Sequence, residues 1–119
     1  METKKKVTDL SYLKQLSKGD NGFIREMISV FIEQTPESIR NLETNLDNKN
    51  WVMLRAVAHK MKPSFSFVGL QELIDVIKKI EDYAETETNL GELPLLIKRV
   101  KEVCGEAISE LNEDIEIYK

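Results

Sequence analysis

The sequence predicts an all-α fold, an antiparallel four-helix bundle preceded by one short extra helix. Apolar residues recur at steps of three and four along most of the chain, which is typical of helices that bury one face. No stretch alternates between apolar and polar residues with a period of two, so we expect no β-sheet. The segments between the periodic stretches are short and polar, and short connections make successive helices antiparallel neighbours.

Length and composition indicate one globular domain. A chain of 119 residues buries about two-thirds of its unfolded surface around a single core. Apolar residues make up 41% of the chain and charged residues 32%, a globular balance. We therefore interpret residues 1–119 as one domain, with the short helix at about residues 9–17 and the bundle at about residues 20–117.

The first two helices are marked by capping residues and a glycine. Asp9 can cap the short helix, which we expect to cover the bundle, and Gly19 ends it. Asp20 can cap the second helix, which runs to the polar turn at residues 47–50. Pro36 either kinks this long helix or begins a new segment with Thr35 as its cap, and we favour the kink.

The third helix carries the only histidine of the chain. Its apolar stripe consists of Trp51, Leu54, Ala58, Met61, Phe65 and Val68. At roughly 100° per residue, His59 lies about 130° from the centre of this stripe and is predicted to point outward. Arg55, Lys62, Pro63 and Ser66 share its face.

The last two helices follow a turn at Gly69 and a loop at residues 86–91. Pro94 suits the first turn of the final helix. Cys104 lies on the apolar face of that helix and is interpreted as a packing residue. Gly105 costs the helix about 1 kcal/mol relative to alanine, and close packing is the one reason we advance for it.

Charge and motif content exclude several classes of protein. With 21 acidic and 17 basic residues, the chain lacks the strongly basic character of a nucleic-acid-binding domain. No apolar run reaches the roughly 20 residues of a membrane span, and no apolar stretch at the N-terminus resembles a secretory signal, so we expect a cytoplasmic protein. We further expect it to be a monomer. We also expect no metal or cofactor site, because there is no His/Cys cluster and no Gly-rich phosphate loop.

A lone histidine on a surface helix is more often an ordinary solvated side chain, but the residues around His59 also suit nucleophilic chemistry. A neutral imidazole is a nucleophile near pH 7. Arg55 and Lys62, one turn away on either side, are expected to disfavour the imidazolium and to stabilise an arriving phosphoryl group. Pro63 removes the N–H that would bond the carbonyl of His59, a local cost that tends to persist where it is compensated or useful.

The run AHKMKPSFSFVGL resembles the signature of histidine-containing phosphotransfer (HPt) domains. The matching positions are Ala58, His59, Met61, Lys62, Ser64 and Gly69, with upstream support from Asp9, Leu13, Gly19, Phe23, Phe31 and Leu42. Pro63 departs from the pattern, because it stands where the family usually has glycine. Some members contribute a glutamine from the next helix, and Glu81 is the nearest polar candidate for it here.

The resemblance implies a phosphorelay intermediate with no kinase or phosphatase activity of its own. His59 would be phosphorylated, Lys62 would stabilise the phosphoryl group, and Arg55, Pro63, Ser64 and Ser66 would support the site. The implied partners are response-regulator receiver domains, which would bring Mg²⁺, and a hybrid sensor histidine kinase.

Two other interpretations stay open at the level of sequence. One is a helical adaptor that binds a signalling partner without phosphotransfer. The other is the dimerising histidine module of a sensor kinase, in which an acidic residue normally follows the histidine and a proline lies five residues after it. Here Lys60 follows His59, and Pro63 lies four residues after it, which disfavours that class.

Overall fold

The computed structural model describes residues 6–119, a bundle of helices joined by short turns. Within that range the α-helices are α1 (Ser11–Ser17), α2 (Asn21–Asp47), α3 (Trp51–Phe67), α4 (Gln71–Thr86) and α5 (Leu93–Asp114), with 3₁₀ turns at Leu90–Glu92 and Ile115–Tyr118. No strand occurs among the described residues. Residues 1–5, which include most of the segment that we interpreted as unlike a secretory signal, lie outside the described residues.

Four long helices form the predicted bundle, and the all-α fold is confirmed. Helix α2 packs against α3 and α5, while α4 packs against the same two helices from the other side. The short helix α1 covers one face, where it contacts α2 and α3. The buried side chains are almost all apolar, and Leu54, Phe65, Ile80 and Leu111 are fully enclosed. Burial of one stripe per helix therefore determines which faces remain on the outside.

Side-chain caps define where the two central helices begin. The Asp20 carboxylate accepts the backbone N–H of Phe23 at 3.1 Å, as predicted for the start of α2. At the start of α3, the side-chain oxygen of Asn50 accepts the N–H of Met53 at 3.2 Å. Residue Trp51 is therefore the first of α3, which places His59 near the middle of that helix.

The predicted cap of the first helix is wrong. Helix α1 begins at Ser11, and Leu10 occupies its cap position without a side-chain hydrogen bond. Asp9 instead accepts both the backbone N–H and the hydroxyl of Ser11, at 2.9 and 2.6 Å. The reason is that the N–H of Asp9 donates to the carbonyl of Val68 at 3.0 Å, which holds the Asp9 backbone against the turn after α3.

Both internal prolines lie within continuous helices. Helix α2 runs through Pro36, so the alternative of a new segment that begins there is wrong. Thr35 does not act as a cap but lies buried inside the helix. Helix α3 likewise continues through Pro63 to Phe67. Tertiary packing along both helices thus offsets the hydrogen bond that each proline removes.

Cys104 and Gly105, which are neighbours on α5, lie in different environments. Cys104 is buried among apolar side chains, as predicted, and burial raises the pKa of its thiol to about 12. Gly105 is exposed, and a Cβ atom built on it would contact nothing within 4 Å. Close packing therefore does not explain Gly105, and that expectation is wrong.

Gly105→Ala is expected to raise the free energy of unfolding by about 1 kcal/mol, because alanine loses less backbone entropy in a helix. Urea denaturation would measure the change. Gly19→Ala is the matched control: its Cβ would also meet nothing, yet the φ of +89° at Gly19 disfavours alanine, so that variant should be less stable than the parent. Equal effects of the two substitutions would contradict this account.

Candidate functional site

His59 lies on the outer face of α3 with its imidazole open to solvent. The side chain is 64% exposed, whereas its helix neighbours Ala58 and Met61 are buried. Pro63, one turn further along, is also exposed. The helical spacing that predicted an outward ring therefore agrees with the position found.

A buried carboxylate from α4 holds one nitrogen of this ring. Glu81 is only 6% exposed, and its Oε2 lies 2.5 Å from His59 Nδ1. Its other oxygen, Oε1, accepts a hydrogen bond from Lys62 Nζ at 2.7 Å. The sequence resemblance had named Glu81 as the nearest polar candidate from the next helix, and the structure places it against the ring. Each oxygen of this carboxylate thus has a partner on α3.

Glu81 is anionic despite its burial. Desolvation raises the pKa of the Glu81 carboxyl, but the hydrogen bonds from Lys62 and His59 lower it further, so that the pKa lies below its usual value. A carboxyl with a lowered folded-state pKa stabilises the fold above its unfolded pKa. That contribution is lost as the pH falls through the folded value.

The hydrogen bond to Glu81 fixes the roles of the two ring nitrogens. An ionised carboxylate only accepts, so Nδ1 of His59 must carry the proton. In a neutral imidazole the lone pair then resides on Nε2. Because Nδ1 faces α4, Nε2 points away from that helix into the exposed region. The site therefore presents a nucleophilic nitrogen to the surface.

The two cations near His59 have different partners. Lys62, whose side chain is 37% exposed, binds Glu81 and so belongs to the same network as the ring. Arg55 pairs instead with Glu85, with 3.6 Å between Nε and Oε2. The charged group that contacts the imidazole is thus the Glu81 carboxylate, whereas Arg55 and Lys62 each pair with a glutamate.

The two serines predicted for the site, Ser64 and Ser66, also lie on α3, but neither forms a hydrogen bond with the ring. Ser66 is exposed, and its carbonyl accepts the N–H of Gly69 at 3.2 Å. Ser64 is half-buried and lines a small groove between α2 and α3, together with Lys60 and Val30. The structure therefore joins His59, Lys62 and Glu81 into one cluster and leaves both serines outside it.

Two further properties concern the described residues 6–119 as a whole. No three His, Cys, Asp or Glu side chains among them are grouped closely enough to hold a metal ion. None of the helices in this range combines the length and apolar character needed to cross a membrane.

A solvent-facing histidine on a helix of a four-helix bundle is the arrangement that the sequence resemblance implied. The family model of the Hpt domain matches residues 26–116, which include all of α3, α4 and α5. The chain therefore belongs to the Hpt domain family, and the resemblance found in the sequence is confirmed.

Two related proteins illustrate how far the similarity extends. The chain is 25% identical over 73 residues to the phosphorelay intermediate protein YPD1 of Candida albicans; the alignment covers 61% of this chain and 40% of that protein. The crystal structure of histidine-containing phosphotransfer protein B (HptB) from Pseudomonas aeruginosa PAO1 superimposes with a TM-score of 0.84 at 21% identity, covering 94% of this chain and 96% of the other. The second comparison supports the fold alone.

Proposed function

We propose that this domain is a phosphorelay intermediate that accepts a phosphoryl group on His59 from a receiver-domain aspartate and passes it to another receiver. The observation that carries the proposal is the exposed imidazole whose Nδ1 is held by the buried Glu81, which leaves Nε2 free to react. Membership of the Hpt family supports it. So does the name of the Candida albicans relative, a phosphorelay intermediate.

The transfer requires no proton to leave His59. The lone pair of Nε2 attacks phosphorus, the N–P bond forms, and the P–O bond to the aspartate breaks as the aspartate carboxylate departs with its electron pair. Phosphoryl transfer depends mainly on in-line positioning and on stabilisation of charge. An exposed, oriented ring supplies the first of these requirements. The reverse reaction onto a second receiver uses the same geometry.

The charges needed for the transfer are divided between this domain and its partner. Lys62 lies one turn from His59 and is partly exposed, so its ammonium group can stabilise the phosphoryl oxygens. We assign the Mg²⁺ of the reaction to the receiver domain, as the family resemblance implies. We further propose that the donor is the receiver of a hybrid sensor kinase and that this domain acts as a monomer.

The proposal is tested by incubating the protein with a ³²P-labelled receiver domain. We expect label on this chain that is stable in alkali and lost in acid, which is the behaviour of a phosphohistidine. Binding of the receiver without transfer of label would instead identify a helical adaptor.

Pro63→Glu would place a negative charge beside the ring and should reduce the rate of phosphoryl transfer to His59, because the added carboxylate repels the phosphoryl group.

Lys62→Ala is expected to slow phosphoryl transfer to His59 about tenfold or more, as loss of one charge-assisted contact to the phosphoryl group predicts. A modest loss of stability should accompany it, because Glu81 keeps only His59 as its partner. Quench-flow measurement of labelled protein would give the rate. Lys60→Ala, on the neighbouring exposed position, is the matched control and should transfer normally. Equal rates for both variants would show that Lys62 does not assist the reaction.

A further inference from the structure

The Glu81 carboxylate touches the ring nitrogen that does not receive the phosphoryl group. We infer that Glu81 is a positioning residue that retains a proton on Nδ1 of phosphorylated His59 and so keeps the phosphohistidine in a short-lived, readily transferred form. This inference rests on the proposed function.

Once Nε2 has bonded to phosphorus, the charge of the ring depends on whether Nδ1 carries a proton. The ring then carries a positive charge if Nδ1 keeps its proton and is neutral if Nδ1 loses it. In the neutral form the Nδ1 lone pair would face Glu81 Oε2, which lies 2.5 Å away in the present structure. Two acceptors at that separation, with one of them anionic, repel each other. Loss of the proton is therefore disfavoured.

Retention of the proton changes the leaving group. From a protonated phosphohistidine, phosphorus is transferred as the N–P electron pair returns to Nε2, and His59 leaves as a neutral imidazole with its proton still on Nδ1. From the unprotonated form it would leave as an imidazolate anion, which is a far poorer leaving group. Transfer to an aspartate and hydrolysis by water are both accelerated, since each breaks the same N–P bond.

Among the described residues, the other charged groups near His59 and Glu81 are not positioned to hold the Nδ1 proton. From α3, Lys62 holds Oε1 and leaves Oε2 for the ring. One turn away, Arg55 and Glu85 pair with each other. The buried side chains of α2 carry no charge, and on α5 the buried Asp114 is bonded to Lys6. Among the described residues, Glu81 is thus the carboxylate positioned to hold the Nδ1 proton.

The experiment measures the half-life of phospho-His59 between pH 5 and pH 10 by release of ³²P. In the native protein the short-lived form should persist to a higher pH than in the same phosphorylated chain unfolded in urea. The midpoint should lie higher by about one pH unit or more, the effect expected of a nearby opposite charge. Coincident profiles for the native and unfolded chains would overturn the inference even if no variant could be prepared.

Glu81→Gln sharpens the test, because its amide can donate a hydrogen bond to an unprotonated Nδ1. At a pH above both midpoints, this variant should hold its phosphoryl group about ten times longer, which corresponds to a shift of one pH unit. Glu85→Gln removes a carboxylate one turn along the same helix and should follow the parent profile. A parent-like profile for a folded Glu81→Gln protein would contradict the inference.

The two proposals fail in distinguishable ways. If the parent protein accepts no label from a phosphorylated receiver, the proposed function is wrong. If it accepts label but its lifetime shows the same pH dependence with and without the Glu81 carboxylate, only the role of Glu81 is wrong. A ¹⁵N NMR spectrum of the phosphorylated protein adds an independent reading, because a retained proton should appear on Nδ1 of His59.

Discussion

His59→Gln is expected to abolish phosphorylation of the domain while leaving its helical circular dichroism and melting temperature nearly unchanged. The chain has no other histidine, so no second imidazole can accept the phosphoryl group. The side chain is 64% exposed and contributes little to the core, and glutamine is a good helix former. Its amide can also donate to Glu81, so the buried carboxylate is not left without a partner.

The measurement combines ³²P transfer from a labelled receiver with thermal unfolding followed by circular dichroism. Lys60→Gln makes the same replacement at the neighbouring exposed position of α3 and should be phosphorylated like the parent. Acid-labile label on the His59→Gln protein would place the phosphoryl group elsewhere and remove the basis of the proposed function. Unfolding of this variant would show that the ring has a structural role that its exposure does not suggest.

The fold was predictable from sequence because it depends on periodicity. Each helix buries one stripe of apolar residues, and this pattern is present in the chain before any packing is known. The capping residue Asp20 and the first-turn Pro94 also act locally, so their roles could be assigned in advance. Asp9 failed as a cap because its backbone is held by Val68, which is distant in sequence.

The candidate site could be predicted only in part, because some of its contacts join residues that are distant in sequence. Helical spacing places His59 and Lys62 on one face of α3, but it does not say which residues of α4 lie opposite them. The antiparallel register pairs His59 with Glu81 and, one turn away, Arg55 with Glu85. A signal for Glu81 did exist, since it occupies an interior position on the buried stripe of α4, between Ile80 and Ala84. A charged residue at such a position requires a partner.

The segment before α1 is another long-range feature that the sequence did not reveal. The Glu110 carboxylate on α5 accepts the backbone N–H groups of Val7 and Thr8 at 2.9 and 3.1 Å and the Thr8 hydroxyl at 2.7 Å. Burial raises the pKa of Glu110, but these hydrogen bonds outweigh it, so the pKa lies below its usual value and the group is anionic at neutral pH. The segment therefore crosses from α5 to the turn after α3.

Of the five glycine-to-alanine changes, Gly69→Ala is expected to be the most destabilising, because the turn after α3 meets this segment there. Gly69 has a φ of +67°, and in the present backbone an added Cβ would overlap the carbonyl oxygen of Asp9. The left-handed conformation costs alanine about 1 to 2 kcal/mol, and relief of the overlap about 1 to 3 kcal/mol more. The free energy of unfolding should fall by about 2 to 5 kcal/mol, measured by urea denaturation.

The control for this change is Gly91→Ala, in the loop before α5. A Cβ on Gly91 would contact nothing within 4 Å, so that variant should match the parent closely. Because Gly69 lies beyond the end of α3, His59 should still accept a phosphoryl group under conditions where the Gly69→Ala protein stays folded. Parent-like stability of Gly69→Ala would show that the Asp9 backbone moves aside at little cost. The bond from Asp9 to Val68 would then contribute little to holding the segment on the bundle.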